Sequence, residues 1–329
     1  MSFDVLAIGD TTIDAFIRLK DASVHCDINR ENCVLCMRFA DKIPYEFVEE
    51  VPAVGNAPNA AVACARIGLR AAVRVHVGDD ENGKKCIESF LKDGVNTSFI
   101  VTEKNNKTNY HYVLWYEDER TILIKHERYN YSFPKLAEPP KWIYLSSVAE
   151  GTLPYHNEIA AYLKAHPEVK LAFQPGTFQM KLGADALKDL YAQTEIFFCN
   201  KEESTRILKM QESDIQKLLA GIRGLGPKIS VITDGRNGAY LQSAAGTWHA
   251  PMYPDPAPPK ERTGAGDATS STTVAYIIKG LPPQEALLRG LINSANVVQE
   301  IGAQKGLLTA AQIDEWFAKR PADFKPTKL

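Results

Sequence analysis

Apolar and polar positions follow two different periods along most of the chain. Short apolar, β-branched runs predict buried strands at Val5–Gly9, Ala71–Gly78, Trp142–Ser146, Leu171–Gln174, Ile196–Asn200 and Ile229–Thr233. Apolar residues at three-to-four spacing predict helices at Ala57–Ile67, Gly83–Lys92, Tyr155–Ala165, Ala184–Gln193, Glu202–Met210, Ile215–Leu225, Gly266–Ile278 and Gln284–Ile301. The repeated strand–helix–strand order predicts a mainly parallel sheet with helices on both faces, a three-layer α/β/α fold.

Two stretches, residues 13–52 and 106–133, interrupt the alternation of strands and helices. They carry alternating or β-branched patterns such as TNYHYVLWY and RTILIKH, which are typical of strands outside the main sheet. We expect them to pair as a small β-sheet that forms a lid over the site. The core then comprises residues 1–12, 53–105 and 134–329.

Size and charge narrow the function classes. With 329 residues and 45% hydrophobic content, the chain can form one α/β domain with a small appendage. A formal net charge of -2 gives no broad basic surface, so nucleic acid is not an expected partner. The N-terminal residues do not resemble a secretion signal, and no apolar run is long enough to span a bilayer. We therefore expect a cytoplasmic protein without a membrane partner.

The six cysteines divide into two groups. Three lie in apolar stretches and are expected to be buried thiols: Cys64, Cys86 and Cys199. The others, Cys26, Cys33 and Cys36, cluster near His25 in the lid. We expect free thiols on a lid hairpin, because no second CxxC pair accompanies them. A structural zinc site or a redox pair remains an alternative, since these are zinc-type ligands.

The segment Glu261–Asp267, with the sequence ERTGAGD, directly precedes a helical run of small and apolar residues. Glycines at a helix start let the N–H groups of Gly264, Ala265 and Gly266 point at one spot, which predicts an anion hole. Phosphoryl transfer needs such a hole and a carboxylate that accepts a proton from the incoming hydroxyl, so Asp267 is the candidate catalytic base. Alternatively, Asp267 only favours the positive helix end and the glycines form a tight turn.

Several motifs in this order resemble those of the ribokinase-like carbohydrate kinase family, also called the PfkB family. The resemblance covers almost the whole chain and rests on the segments GDTTID (9–14), GNAPNAAVACARIG (55–68), VGDD (77–80), NKEE (200–203), VITDG (231–235), GAGD (264–267) and GAQ (302–304). It implies a ribokinase-like fold and an ATP-dependent kinase that phosphorylates a hydroxyl of a sugar or nucleoside.

The resemblance also implies which residues bind the substrate. Asp14 and Asn59 match positions that hydrogen-bond sugar hydroxyls, with Thr12 and the backbone of Gly55 and Asn56 nearby. A carboxylate and an amide suit a polyol, because together they accept and donate hydrogen bonds. This set favours ribose or a ribonucleoside slightly. The alternative is that Asp14 is a turn residue and Asn59 a helix-start residue.

The NxxE motif of this family matches Asn200 and Glu203. By resemblance, these residues organise Mg²⁺ and phosphate, and Glu203 holds the ion largely through water. A single carboxylate suffices, since Mg²⁺ keeps several of its waters. The alternative for Glu203 is an exposed carboxylate at a helix start.

A TxGxxG stretch lies along the nucleotide in the family, and Thr233, Gly235 and Gly238 match it. Missing side chains there allow close backbone approach. Asn293 or Asn296, on the penultimate predicted helix, is assigned to a position near the base of the nucleotide. Either asparagine could equally be an ordinary polar helix residue.

The chain departs from the family pattern at several positions. Val54 stands where the family usually has a glycine, and Pro58 stands where it has a small residue just before the sugar-binding asparagine. Gln174 stands where many members have an aspartate. Glu261 and Arg262 replace an Asp-Thr pair linked to a monovalent-cation site, so potassium activation stays open. The sequence also leaves open ADP as the donor and a homodimer formed through the lid.

The sequence leaves two rival functions to compare with a kinase. A sugar- or nucleoside-binding protein that lost turnover is the main alternative, although the presence of Asp267 argues against it. A dinucleotide-dependent oxidoreductase is poorly supported, because GDTT and not GxGxxG follows the first strand. The absence of GxxxxGK[ST] from the sequence excludes a P-loop kinase.

Overall fold

The computed structural model describes residues 2–27, 33–117 and 119–329. Its strands are β1 (Val5–Ile8), β2 (Thr12–Leu19), β3 (Ser23–His25), β4 (Val34–Cys36), β5 (Tyr45–Val54), β6 (Ala71–Arg74), β7 (His76–Gly78), β8 (Val101–Glu103), β9 (Tyr110–Tyr116), β10 (Glu119–Leu123), β11 (Trp142–Leu145), β12 (Lys170–Phe173), β13 (Thr194–Asn200), β14 (Ile229–Thr233), β15 (Ala239–Ser243), β16 (Gly246–Ala250) and β17 (Thr327–Lys328). Its α-helices are α1 (Asn56–Arg66), α2 (Glu81–Lys92), α3 (Leu153–Ala165), α4 (Thr177–Leu182), α5 (Lys188–Gln193), α6 (Lys201–Leu208), α7 (Ile215–Gly224), α8 (Ala265–Ile278), α9 (Pro283–Val297) and α10 (Ala310–Ala318).

The main sheet has nine strands in the order β17-β16-β15-β14-β13-β12-β11-β1-β6. Pairing is parallel from β14 to β6 and antiparallel from β14 to β17. Alternate residues of β1 enter opposite cores: Val5 and Ala7 pack with α1, α8 and α9, whereas Leu6 and Ile8 pack with α3 and α7. The predicted three-layer architecture is therefore confirmed. None of the helices in the described ranges is both long and apolar enough to cross a membrane.

The predicted strand Ala71–Gly78 is two strands in the structure. β6 joins the main sheet beside β1, whereas β7 pairs with β8 in a separate two-stranded sheet. The run AAVRVHVG carries no glycine or proline before its end, so its pattern gives no sign of the break. The antiparallel edge formed by β15, β16 and β17 was also missed, as were α4 and α10.

The two excursions form a separate four-stranded sheet in the order β10-β9-β2-β5, here called the small sheet. This confirms the predicted small sheet outside the core; its action as a lid stays a prediction. Asp14 pairs directly with His111, and Arg120 pairs with Trp115. Paired and alternate residues share a face, so Asp14, His111 and Arg120 lie on the same face of the small sheet.

The cysteine cluster differs from its prediction. β3 and β4 form their own hairpin, and Cys26 and Cys33 are joined in a disulfide. The free-thiol prediction is wrong for these two residues, and so is the zinc set, because disulfide sulfur is not a thiolate ligand. Cys36 is a free thiol, and redox activity of the pair stays a prediction. The other three cysteines are buried free thiols, as predicted: Cys64, Cys86 and Cys199.

Helix α8 is buried along most of its length although it contains five consecutive hydroxyl residues. The hydroxyls of Ser270, Ser271 and Thr273 donate to backbone carbonyls four residues earlier. This local bonding satisfies polar groups that would otherwise be costly to bury. The small side chains also let α9 approach closely at Gly290, where a Cβ would lie 2.4 Å from the Thr269 carbonyl oxygen.

We predict that Gly290→Ala lowers the free energy of unfolding by about 1–3 kcal/mol, because the methyl group overpacks the contact between α8 and α9. The matched control is Gly224→Ala at the end of α7, where a Cβ meets no atom within 4 Å. That control should be neutral or stabilising by up to about 1 kcal/mol. Urea unfolding monitored by circular dichroism measures both; equal effects would contradict the close packing.

Candidate active site

A cavity of about 460 Å³ lies between the carboxyl ends of the main-sheet strands and the small sheet. Ligands commonly bind at this edge of a parallel sheet. The cavity brings together most of the predicted site residues: Thr12, Asp14, Gly55, Asn56, Asn59, Asn200, Glu203, Thr233, Gly264, Ala265, Gly266 and Asp267. Residues far apart in sequence therefore form one site.

A second, narrower cleft adjoins this cavity. Gly235 and Gly238 line it, together with Leu291, Ser294 and Ala295 of α9. The two clefts share four lining residues: Thr233, Arg262, Ala265 and Gly266. They therefore meet at the start of α8, which is where the sequence predicts an anion hole.

The Asp267 carboxylate is held by three side-chain amides. Its Oδ1 accepts hydrogen bonds from Asn56 Nδ2 (2.8 Å) and Gln174 Nε2 (2.9 Å), and its Oδ2 accepts one from Asn59 Nδ2 (2.7 Å). Burial raises the pKa of Asp267 above its ordinary value, while the three amides act in the opposite direction. A fixed carboxylate with a raised pKa is suited to accept a proton near neutral pH.

The turn before α8 requires glycine. Gly264 has a φ of 83°, and a Cβ there would lie 2.5 Å from the Cβ of Ala303. The first hydrogen bond of the helix runs from the N–H of Ala268 to the carbonyl of Gly264. The amides of Ala265 and Gly266 precede it and have no acceptor within the helix, so they can bind an anion.

Glu261 stabilises this turn by accepting hydrogen bonds from the backbone. Its buried carboxylate accepts hydrogen bonds from the N–H groups of Thr263 (2.7 Å) and Gly302 (3.0 Å). The adjacent Arg262 lines both clefts and forms no hydrogen bond or ion pair within the described part of the chain. Sequence reasoning noted Arg262 only as a departure from the family pattern and missed its position at the junction.

Asn200 and Glu203 form a capping box at the start of α6. Each side chain accepts a hydrogen bond from the other's backbone N–H, both at 2.8 Å. Burial raises the pKa of Glu203, and the negative charge of Asp267 acts in the same direction. The second carboxylate oxygen of Glu203 has no hydrogen bond among the described residues. This half-buried carboxylate fits a cation, and a single ligand of this type suits Mg²⁺ held through water.

Neither Asn293 nor Asn296 lines either of the two clefts described above, so the geometry does not support their assignment near the nucleotide's base, which stays a prediction. Asn293 is fully buried; its Nδ2 donates to Thr272 Oγ1 (2.8 Å) and its Oδ1 accepts from the N–H of Leu308. Asn296 Nδ2 donates to the carbonyl of Gly306 (2.8 Å). Both asparagines point away because the cleft-facing residues of α9 follow helical spacing at other positions.

The small sheet and the segment that follows β10 contribute site residues that sequence reasoning missed. His111, Arg120 and His126 line the main cavity. His111 Nδ1 lies 3.4 Å from Asp14 Oδ1, and His126 Nδ1 lies 3.2 Å from Asp10 Oδ2. The alternation of β9 and β10 indicates two faces, but only the strand register shows which face meets the core.

Comparisons with known proteins identify the family of this chain. Residues 39–310 match the model of a family described as pfkB family carbohydrate kinase. The fructoselysine 6-kinase of Escherichia coli is 26% identical over 76% of this chain and 90% of its own length.

Solved structures share the fold. The Arabidopsis thaliana ribokinase, solved with ribose and ATP, has a TM-score of 0.78 at 16% identity and covers 96% of this chain and 98% of its own. An Escherichia coli chain solved with ATP and Mg²⁺ has a TM-score of 0.74 at 17% identity, covering 97% of this chain and 100% of its own.

We predict that Gln174→Leu raises the pKa of Asp267 further, because it removes a hydrogen bond that favours the ionised carboxylate. The measurement is the ¹³C shift of the Asp267 carboxyl across a pH titration. Gln242→Leu is the matched control, since this glutamine lies on β15 and donates to Thr247 outside the site. An unchanged or lowered pKa in Gln174→Leu would contradict the described network.

Proposed function

Because the chain belongs to the pfkB family of carbohydrate kinases, we propose that it transfers the γ-phosphate of ATP to a hydroxyl of a small sugar or sugar-containing metabolite. One observation carries the proposal: the buried, amide-held Asp267 stands beside a glycine turn where two clefts meet. In this arrangement the larger cavity takes the acceptor and the narrower cleft takes the nucleotide.

The chemistry follows from these positions. The acceptor hydroxyl lies beside Asp267, which accepts its proton as the hydroxyl oxygen attacks the γ-phosphorus and ADP leaves. The N–H groups of Ala265 and Gly266 donate to the phosphoryl oxygens, whose negative charge must be stabilised during transfer. Mg²⁺, held by Glu203 through water, would neutralise further phosphate charge. Thr233, Gly235 and Gly238 are proposed to lie along the nucleotide.

The finer assignments concern the acceptor. Thr12, Asp14 and Asn59 support hydroxyl binding, since all three line the cavity. Asn59 Nδ2 is already used by Asp267 and its Oδ1 accepts from Gln304 Nε2 (3.0 Å), so it positions the base as well. The preference for ribose or a ribonucleoside stays a prediction, because a relative acts on fructoselysine.

Assembly and location belong to the same proposal. Val48, Tyr112 and Leu123 share the face of the small sheet opposite Asp14 and are about half exposed, which supports a homodimer through this sheet. The cytoplasmic location stays a prediction, and the Cys26–Cys33 disulfide does not favour it, since such bonds are rare there. Potassium activation and ADP as the donor stay open.

We predict that Asp267→Asn lowers kcat by about 10²- to 10⁴-fold while ADP binding changes little, because the amide cannot accept the proton. A coupled ADP-release assay across sugars and nucleosides measures turnover, and calorimetry measures binding. The control is Asp189→Asn on the exposed side of α5.

In the parent protein, kcat/KM should fall as pH drops through the raised pKa of Asp267, which must be ionised to act.

The same assay separates the rival function. Sugar or nucleoside binding by the parent protein without any ADP release would contradict the kinase and favour a binding protein. Full turnover in Asp267→Asn would contradict the assigned base.

We also predict that Arg262→Ala lowers kcat with ATP by about 10²- to 10³-fold, because a cation where the clefts meet stabilises charge on the migrating phosphate. Arg262→Lys should retain part of the rate, and ADP affinity should change only a few-fold. The control is Arg236→Ala, an exposed cation of the neighbouring turn that lines neither cleft. Equal losses of ADP and ATP affinity with unchanged kcat would contradict this role.

A further inference from the structure

Arg120 is a partly buried cation of the small sheet that the phosphate-transfer chemistry does not use. It lies on β10, on the same face as Ile122 and His111, and lines the cavity that contains Asp267. Its Nε is buried and has no hydrogen-bond partner, and no ion pair to Arg120 occurs in the described ranges. An unpaired buried donor costs about 1–3 kcal/mol, and more when it is charged, so a bound partner would remove a substantial penalty.

A second polar side-chain atom without a partner, a ring nitrogen of His111, belongs to a residue that lines the same cavity. His111 Nε2 is also buried without a hydrogen-bond partner. Its Nδ1 lies 3.4 Å from Asp14 Oδ1 without forming a hydrogen bond. Arg120 and His111 therefore offer two polar groups from adjacent strands to one ligand.

No carboxylate of the cavity forms an ion pair with Arg120 in the described ranges, although Asp14 Oδ1 and one oxygen of Glu203 also lack a hydrogen bond there. Asp10 accepts from Tyr131 (2.7 Å) and lies beside His126, while Asp14 lies beside His111. Asp267 accepts from three amides. Glu203 accepts from the backbone of Asn200.

From this arrangement we propose that the acceptor sugar carries an anionic group, a carboxylate or a phosphate, which Arg120 and His111 bind. The inference rests on the proposed kinase function and names the class of its acceptor. A guanidinium pairs with planar or tetrahedral oxyanions through two parallel hydrogen bonds, whereas a neutral hydroxyl leaves its charge unpaired. Ile122 and Ile124, both solvent-exposed, add apolar surface to the same cavity. Hydroxyl binding by Thr12 and Asp14 is compatible with this anionic group on the same sugar.

One competing role must be separated from substrate binding. The positive charge of Arg120 lowers the pKa of Asp267, so Arg120 could act on the base alone. An effect on the base is the same for every acceptor. Binding of an anionic group instead distinguishes acceptors that differ only in charge.

The test uses matched acceptor pairs with the full-length protein. Aldonic acids are compared with the corresponding alditols, and sugar phosphates with their parent sugars, in parent protein, Arg120→Leu, Arg120→Lys and the control Arg128→Leu. Arg128 is an exposed arginine that does not line this cavity. We expect the anionic member of at least one pair to have the higher kcat/KM. Arg120→Leu should lower that value about 10- to 100-fold, which is the typical worth of a hydrogen bond to a charged group.

The neutral members should change less than about 3-fold in Arg120→Leu, Arg120→Lys should recover part of the loss, and Arg128→Leu should match the parent. The carboxylate and phosphate pairs show which oxyanion is bound. A preference for neutral acceptors, or equal losses for both members of each pair, would overturn the inference.

Calorimetry of the same acceptors without nucleotide separates this inference from the proposed function. Anion binding that depends on Arg120, together with no phosphate transfer to any acceptor, would contradict the proposed kinase function and support the anion site. Phosphate transfer to neutral sugars alone, unaffected by Arg120→Leu, would support the proposed kinase function and contradict the anion site.

Discussion

The hydrogen bonds that three amides donate to the Asp267 carboxylate are the constraint on which the site depends. Asn56 and Asn59 come from α1, Gln174 follows β12, and Asp267 lies in the first turn of α8, so one carboxylate joins three separate parts of the fold. A carboxylate this deeply buried would otherwise be protonated or would destabilise the fold. The amides allow it to stay ionised while burial keeps its pKa above the ordinary value. The packing of the core therefore both positions the proposed base and sets its pKa.

The rest of the architecture serves this position. The left-handed Gly264 turns the chain so that free amides precede the carboxylate, and Glu261 fixes that turn from the opposite side. The small sheet covers the cavity with charged and apolar side chains that the main sheet does not supply. In the proposed function, the core supplies the phosphate chemistry and the small sheet contributes to acceptor recognition, which would allow specificity to change without moving Asp267.

The sequence predicted the parts of the fold that local pattern determines. Buried parallel strands, amphipathic helices and the glycine turn before Asp267 all have short-range signals, and the fold confirms the elements they predict. Features set by long-range register were not predictable. The break between β6 and β7, the cleft-facing side of α9 that excludes Asn293, and the position of Arg120 depend on which strands and helices meet. The Cys26–Cys33 disulfide likewise depends on hairpin pairing, which spacing alone leaves open.

The most direct test of the account is a crystal structure with ADP, Mg²⁺ and aluminium fluoride, which mimics the phosphoryl group in transfer. The account predicts ADP in the cleft beside Thr233 and Gly238, with the fluoride group within hydrogen-bond distance of the Ala265 and Gly266 amides and next to the Asp267 carboxylate. A fluoride group bound away from that turn, or nucleotide bound outside this cleft, would contradict it.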